Sequence, residues 1–245
     1  MKKYLVTGVS RGLGLAVAEL LLKDGHTVYG TYNSNAEPAN TLAEKFQNLS
    51  VLKLDLSDQT SISTLVSTLK EVQLDGIVNC AGIFQDIDFE DLDTEAFENT
   101  FKVNAFAPLY VVNGLKNNLV DGASIVNIAS NDAFVGSIVG IAYSASKATL
   151  ISITKSLANI LAKQKIRVNA VAPGWMGDGM QAPPELLKIA QEQNPLRKIG
   201  TYEEIANVVT FLLSDKSSYV NGETITVDGG DMATNYILQQ EAELL

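Results

Sequence analysis

The chain has 245 residues, 46% hydrophobic and 19% charged, so it can bury a substantial core as a globular protein. Its net charge of -10 repels phosphate backbones and anionic lipid, so we expect neither nucleic acid nor a membrane as partner. No apolar run reaches membrane-spanning length, and polar residues interrupt the first run too early for a secretory signal. The single cysteine, Cys80, cannot form an internal disulfide, which fits a reducing, cytoplasmic compartment.

Short β-branched apolar runs alternate with longer segments of helical periodicity along the whole chain. Seven strands are predicted at 4–7, 27–31, 50–54, 76–79, 124–129, 167–172 and 224–227. Helices are predicted near 12–24, 38–47, 58–71, 94–117, 141–163 and 202–214, with Ser57, Asp93 and Thr201 as capping residues. Since no linker interrupts the alternation, we predict one doubly wound α/β domain over 1–245, a seven-stranded parallel sheet with helices on both faces.

Residues 175–197 depart from this regular pattern. Glycines and prolines interrupt a segment that still carries large apolar side chains, among them Trp175, Met180, Leu186 and Leu187. A long, irregular but apolar connection is typical of a loop that closes over a ligand. We therefore predict that 175–197 is a mobile substrate lid.

A glycine-rich turn follows the first predicted strand and leads directly into a helix. The turn reads Thr7-Gly8-Val9-Ser10-Arg11-Gly12-Leu13-Gly14. Glycines at this position let the backbone approach a pyrophosphate closely, and the amides of the helix start can bind it. We assign Gly8, Ser10, Arg11, Gly12, Leu13 and Gly14 to cofactor binding, the alternative being an ordinary glycine-rich turn.

The residues near the expected adenosine ribose indicate which nicotinamide cofactor is bound. The second strand ends in Gly30-Thr31-Tyr32-Asn33-Ser34, without the carboxylate that favours NAD, and Arg11 is a candidate partner for a 2'-phosphate. NADP(H) is therefore favoured, with NAD(H) as the alternative, unless Arg11 is only a solvated cation. Asp55 either accepts a hydrogen bond from the adenine amino group or caps the next helix.

Four polar residues suggest acid–base chemistry. Tyr143 and Lys147 share one helix face at a spacing of four residues, so a neighbouring ammonium can favour ionisation of the phenol. Ser130 follows a buried strand, at the sheet edge where a cofactor should lie, and Asn104 interrupts an apolar helix face. Alternatively, Tyr143 and Lys147 form a surface pair, Ser130 caps a loop and Asn104 binds local backbone.

Together these motifs resemble those of the short-chain dehydrogenase/reductase family, whose fold is a Rossmann-type domain. The stretch Asn79-Cys80-Ala81-Gly82 is similar to the family's Asn-Asn-Ala-Gly, and Val227-Asp228-Gly229-Gly230 is similar to its closing strand. The resemblance implies that Asn79, Ala81, Gly82, Pro173 and Gly174 contact the cofactor, with Tyr143 and Lys147. It also implies an oxidoreductase that moves a hydride between nicotinamide and a carbonyl or alcohol carbon.

The resemblance further implies a role for each member of the tetrad. Ser130 would polarise the substrate oxygen, and Tyr143 would exchange its proton as the general acid or base. Lys147 would hold the nicotinamide ribose and lower the Tyr143 pKa, while Asn104 would position a relay water. Asp178 stands where the family often has a threonine that contacts the carboxamide. No metal site is expected.

The closest subgroup in appearance is the 3-oxoacyl-(acyl-carrier-protein) reductases, which makes a carrier-dependent reductase the alternative function. A cluster of Lys163, Lys165 and Arg167 would dock an acidic carrier unless it is a solvated helix end. Four aromatic or apolar residues instead suggest a site for an uncharged ketone or aldehyde, unless they belong to the core; they are Phe84, Phe134, Trp175 and Met180. A non-catalytic nucleotide-binding regulator is a third, less favoured function.

Small residues form a stripe on the Tyr143 helix, on a face distinct from Tyr143 itself. They are Ala145, Thr149, Ser152 and Ser156. Small side chains permit close helix packing, so with the helix over 94–117 this face would form a homodimer or homotetramer interface, the alternative being a solvent-exposed face.

Overall fold

The computed structural model describes residues 1–234; the end of the predicted domain, 235–245, lies outside the described residues. The strands are β1 (Lys3–Val6), β2 (Thr27–Tyr32), β3 (Leu49–Lys53), β4 (Leu74–Asn79), β5 (Leu119–Ile128), β6 (Arg167–Pro173) and β7 (Thr224–Val227). They form one seven-stranded parallel sheet in the order β3-β2-β1-β4-β5-β6-β7. This order confirms the predicted doubly wound, Rossmann-type α/β fold.

Helices cover both faces of the sheet. They are α1 (Gly12–Lys23), α2 (Glu37–Lys45), α3 (Gln59–Thr68), α4 (Thr94–Phe101), α5 (Ala107–Leu115), α6 (Ile141–Ile160), α7 (Pro184–Gln193) and α8 (Tyr202–Leu213). Successive residues of β1 belong to different hydrophobic cores. Val6 belongs to the core formed with α1, α2 and α8, whereas Leu5 belongs to the core formed with α3, α5 and α6. Burial on both faces explains why the strands read as continuous apolar runs.

Two of the three predicted helix caps are confirmed. The side chains of Asp93 and Thr201 accept from backbone amides at the starts of α4 and α8, and Thr201 forms a capping box with Glu204. The prediction for Ser57 is wrong, because Asp58 caps α3 by accepting from the Thr60 amide. Ser57 instead bonds the Asp55 carboxylate in the turn before that cap.

Two predicted segments differ in their secondary structure. The single helix expected over 94–117 is divided by a π-helical turn, Lys102–Phe106, between α4 and α5. The segment 175–197 contains α7, which sequence patterning missed because Pro183 and Pro184 look like helix breakers. Pro184 stands at the first position of α7, where a proline costs no hydrogen bond.

The strand register brings the carboxyl ends of the central strands to one edge. Val6 pairs with Val78, and Val78 pairs with Val126, so the residues that follow β1, β4 and β5 are neighbours. Strands β1 to β3 are added to the sheet in one direction and β4 to β7 in the other, so the strand order reverses between β1 and β4. Ligands of such sheets bind in the crevice at this switch point. Within residues 1–234, no helix is both long and apolar enough to cross a membrane.

Candidate active site

The glycine-rich turn between β1 and α1 is packed too closely for side chains. A Cβ on Gly14 would lie 2.2 Å from the Gly8 carbonyl oxygen, a backbone atom that cannot move aside. Gly8 has a φ of +79°, and a Cβ there would lie 3.0 Å from Ala81. The glycines thus fold the turn tightly and bring it against the Asn79–Gly82 segment, as the cofactor prediction requires.

The start of α1 has free capacity for an anion. Arg11 is the N-cap residue, and within the described chain no side chain caps this helix. Arg11 is exposed at this uncapped helix start, where unsatisfied amides together with a nearby cation would suit phosphate. The Ser10 hydroxyl donates to the Asn35 carbonyl oxygen (2.7 Å) and ties the turn to the β2–α2 loop, while its contact with the cofactor stays a prediction.

Thr7 was not among the predicted site residues, but it connects the two cofactor segments. Its hydroxyl oxygen accepts from the amides of Cys80 (3.0 Å) and Ala81 (3.1 Å). The signal in the sequence is a polar residue directly after an apolar strand, since such a side chain, when buried, needs a hydrogen-bond partner. Thr7 fixes the distance between the glycine-rich turn and the Asn79–Gly82 segment.

Two predicted cofactor residues use their side chains within the protein. The Asn79 amide donates to Asn127 Oδ1 (2.8 Å), and Asn127 in turn donates to Thr154 (2.8 Å), so this buried chain joins β4, β5 and α6. Asp55 Oδ1 accepts from the amide (2.8 Å) and the hydroxyl (2.6 Å) of Ser57, which is a turn-stabilising role. Contact of either residue with the cofactor stays a prediction.

Asn104 and Lys147 converge on Gly82. Lys147 is only 4% exposed, and its Nζ donates to the Ile128 carbonyl oxygen (2.7 Å). Asn104 accepts from the Ile83 amide (2.9 Å) and donates to the Ile83 carbonyl (2.9 Å). A Cβ on Gly82 would lie 3.1 Å from Asn104 Oδ1 and 3.4 Å from Lys147 Nζ, so both polar groups face this position.

Ser130 and Tyr143 meet at the same edge of the sheet. The Ser130 side chain hydrogen-bonds the Tyr143 phenol, and its oxygen also accepts from the Asp132 amide (3.2 Å). Lys147 Nζ lies 5.5 Å from the centroid of the Tyr143 ring. The four residues Asn104, Ser130, Tyr143 and Lys147 are therefore one cluster, although they come from three separate segments.

The electrostatics of the cluster differ from expectation. Burial raises the Tyr143 pKa to about 12, although the Ser130 hydrogen bond lowers it in part. Burial also lowers the Lys147 pKa to about 8, because the site disfavours an isolated ammonium. The lowering of the Tyr143 pKa by Lys147 that the resemblance implied is not found, and burial is the main cause of the raised pKa.

Comparisons with known proteins show the family to which the chain belongs. Residues 8–231 match the family profile described as enoyl-(acyl carrier protein) reductase. A 3-oxoacyl-(acyl-carrier-protein) reductase FabG of Aquifex aeolicus is 38% identical over 94% of this chain and 96% of its own length. The chain belongs to the short-chain dehydrogenase/reductase family. It is an oxidoreductase that acts between alcohol and carbonyl groups with a nicotinamide cofactor.

Other members differ in their named substrates. The 3beta-hydroxysteroid dehydrogenase 2 of Eggerthella lenta is 32% identical over 92% of this chain and 93% of its own length. Among solved structures, the angucycline C-6 ketoreductase LanV with bound NADP is 31% identical, with a TM-score of 0.89 over 95% of this chain and 96% of its own. Shared family membership therefore identifies the chemistry better than the substrate.

One of the four predicted apolar residues contacts Tyr143 in this dehydrogenase/reductase. The Phe84 ring packs edge-on against the Tyr143 ring, with centroids 5.3 Å apart. Phe84, Phe134, Trp175 and Met180 are each exposed by 39% to 47%, so they do not belong to the buried core of the protein. Gly140 leaves room for Phe84, because a Cβ there would lie 2.7 Å from the ring.

The basic cluster predicted for a carrier is incomplete. Lys163 and Lys165 are exposed, but Arg167 is only 9% exposed and donates to the backbone carbonyls of Ser214 and Val220. Arg167 thus joins β6 to the segment after α8 and is not a surface cation. Arg167 therefore fits neither the docking cluster nor the solvated helix end that was its alternative, and only Lys163 and Lys165 are exposed cations.

The turn after β6 follows the family pattern as far as Gly174 and then departs from it. The Gly174 amide donates to the Val227 carbonyl (3.1 Å), and a Cβ on Gly174 would lie 2.7 Å from Asp228 Cβ, so Pro173-Gly174 is held against the closing strand. Asp178, the departure from the family threonine, accepts a hydrogen bond from Tyr202 (2.5 Å). Sequence analysis did not predict this pairing.

Proposed function

We propose that this enzyme reduces an uncharged, apolar ketone or aldehyde with NADPH, using Tyr143 as the general acid. The observation that carries the proposal is the cluster of Asn104, Ser130, Tyr143 and Lys147 at the carboxyl ends of β1, β4 and β5, in which Asn104 and Lys147 face Gly82. A surface pair of tyrosine and lysine would have neither this burial nor this location.

Each side chain has a distinct role in the proposed mechanism. Ser130 orients the substrate oxygen by hydrogen bonding, and the adjacent Tyr143 hydroxyl delivers the proton to that oxygen. Lys147 and the segment Asn79–Gly82 would hold the nicotinamide ribose, while Asn104 fixes that segment through Ile83. The nicotinamide cofactor, when bound, supplies the hydride.

The pKa of Tyr143 favours the reductive direction. At about 12, it keeps the phenol protonated at neutral pH and therefore ready to act as an acid. Alcohol oxidation would need the phenolate as base, which requires a large decrease of this pKa by the oxidised cofactor or by Lys147. We therefore propose carbonyl reduction as the favoured reaction.

NADP(H) is the cofactor that suits the glycine-rich turn. The exposed guanidinium of Arg11 stands at the uncapped start of α1, and β2 ends at Tyr32 without a carboxylate. Two structural relatives bind this cofactor: LanV was solved with NADP, and a blue fluorescent protein from a metagenomic library, 29% identical with a TM-score of 0.88, was solved with NADPH. Binding of NADH would be weaker but measurable.

The residues around Tyr143 favour an apolar substrate. Phe84 covers one edge of the Tyr143 ring, and the lid helix α7 presents Leu186 and Ile189 with none of its residues buried. Covering an apolar molecule removes such a surface from water, which is favourable in free energy.

The carrier-dependent reductase stays the second candidate because of the 38% identity to FabG, although only Lys163 and Lys165 are available as cations from the predicted cluster.

A homodimer or homotetramer in the cytoplasm completes the proposal. The α6 residues Ala145, Thr149, Ser152 and Ser156 are all at least partly exposed, which leaves this small-residue face available to a second copy. The single cysteine, Cys80, supports a reducing compartment.

The direct test measures loss of NADPH absorbance against a panel of apolar ketones and aldehydes, with acetoacetyl-carrier protein included. Tyr143→Phe should keep NADPH affinity within twofold and lower kcat by about 100-fold or more, because the proton donor is lost. Tyr219→Phe, at a fully exposed tyrosine, is the matched control and should behave like wild type. Full activity of Tyr143→Phe would contradict the assignment of the proton donor.

A further inference from the structure

Tyr202, the first residue of α8, lies between the cofactor turn and the start of the lid. A Cβ on Gly12, in the glycine-rich turn, would lie 3.4 Å from the Tyr202 ring. A Cβ on Gly177, in the lid, would lie 2.1 Å from the same ring. Both glycines have positive φ, +59° and +56°, so each position is restricted to glycine by backbone conformation and the Gly177 position also by space. The ring is thus a spacer between two functional segments.

The Tyr202 hydroxyl is bound on both sides by one residue of the lid. It donates to Asp178 Oδ1 (2.5 Å) and accepts from the Asp178 amide (3.3 Å). Burial and the Asp178 hydrogen bond raise the Tyr202 pKa, so the phenol remains a donor at neutral pH. The backbone strengthens the connection, because Gly200 donates to the Trp175 carbonyl (3.0 Å) and accepts from the Gly177 amide (2.9 Å).

The other end of the lid is held independently. The Asn194 side chain donates to the Asp228 carbonyl (2.7 Å) and accepts from the Leu196 amide (2.9 Å). Between these two attachments lies the part 179–193, which includes α7 without any buried residue and the positive-φ residues Met180 and Gln181. The attachments therefore divide the predicted lid into fixed ends and a loosely packed middle.

We propose that Tyr202 is a positioning residue that couples the cofactor turn at Gly12 to the lid through Asp178. Binding of the cofactor at the turn would hold the Tyr202 ring against Gly177, and the hydroxyl would then set the position from which 179–193 closes over the substrate. This inference rests on the proposed function for the identity of the cofactor. It gives Asp178, which stands in place of the family threonine, a role within the protein as the partner of Tyr202.

The test compares Tyr202→Phe, which keeps the ring and removes the hydroxyl, with Asp178→Ala and with the double variant. Each single variant should raise the NADPH Kd and the carbonyl KM about fivefold, the effect of one lost hydrogen bond, while kcat changes less than twofold. The double variant should be no worse than Tyr202→Phe, because loss of the hydroxyl already removes both hydrogen bonds to Asp178. Asp178→Asn keeps an acceptor and should stay close to wild type, as should the control Tyr219→Phe.

Limited proteolysis gives a readout that needs no turnover. NADPH should protect bonds within 179–193 from cleavage in wild type, and it should protect them less in Tyr202→Phe and Asp178→Ala. Additive effects of the two variants, or unchanged NADPH affinity and unchanged protection, would overturn the coupling. If NADPH binds but no carbonyl is reduced, the proposed function fails, while binding and proteolysis still decide whether Tyr202 couples the two segments.

Discussion

Burial is the main cause of the shifted pKa values of Lys147 and Tyr143. The low hydration of the site favours the neutral form of each side chain, which is why one pKa falls to about 8 and the other rises to about 12. Lys147 compensates in part through its hydrogen bond to the Ile128 carbonyl (2.7 Å). This loss of hydration destabilises the folded protein, as is common where function competes with stability.

This destabilisation predicts a pH-dependent difference between wild type and Lys147→Met. The Lys147 pKa is about 8 in the folded protein and 10.5 as an ordinary lysine, so the unfolded chain binds more protons between these values. As the pH increases from about 8 to 10.5, the free energy of unfolding of wild type should therefore rise relative to that of the variant, by at most about 1.4 kcal/mol per pH unit.

Urea denaturation of both proteins from pH 7 to pH 10.5 measures this difference. Below pH 8, the difference in unfolding free energy should be constant, with the variant relatively most stable there. A constant difference over the whole range would show that Lys147 has an ordinary pKa and that its burial costs little.

Individual elements were predictable where the information is local in sequence. The glycine-rich turn, the seven strands and the Tyr143 to Lys147 spacing all follow from short-range periodicity or from residues a few positions apart. The π-helical turn at Asn104 was not predictable, because it follows from bonds to Ile83, which is distant in sequence. The pairing of Asp178 with Tyr202 was missed for the same reason, since no local pattern connects them.

The β1–α1 turn leads to a prediction for this element. Gly14→Ala should abolish NADPH binding or prevent folding, because its Cβ would lie 2.2 Å from the Gly8 carbonyl oxygen. Gly136→Ala is the matched control, since a Cβ there has open space and φ is not positive. Circular dichroism and NADPH fluorescence titration should show the control unchanged in both. Wild-type affinity in Gly14→Ala would mean that the turn is not the cofactor site.

At the scale of the whole molecule, the small-residue face of α6 predicts the assembly. The Thr149 and Ser156 hydroxyls donate to carbonyls of their own helix. A second copy could therefore pack closely against this face without leaving these two hydroxyls without a hydrogen-bond partner. Ser152→Arg should shift the protein from dimer or tetramer toward a smaller species in light scattering. Ser63→Arg on α3 is an exposed control that should leave the mass unchanged. An unchanged mass for Ser152→Arg would place the interface elsewhere.

The net charge of -10 bears on the choice between a free ketone and a carrier-bound substrate. An acidic carrier protein is repelled by the field of an acidic enzyme unless local cations attract it. Arg167 is not available for this, because it is buried and donates to backbone carbonyls. The same acetoacetyl group should therefore be reduced with a higher kcat/KM on a small neutral thioester than on the carrier.

Ionic strength distinguishes these two substrates. Salt shortens the Debye length to about 10 Å at 0.1 M, so added salt should raise kcat/KM for the carrier substrate by screening the repulsion. The neutral thioester, measured at saturating NADPH in the same buffers, serves as the control and should change little. A carrier reaction that is faster than the thioester reaction and slows with salt would instead indicate attractive docking, with Lys163 and Lys165 as the first residues to replace, and would favour the carrier-dependent reductase.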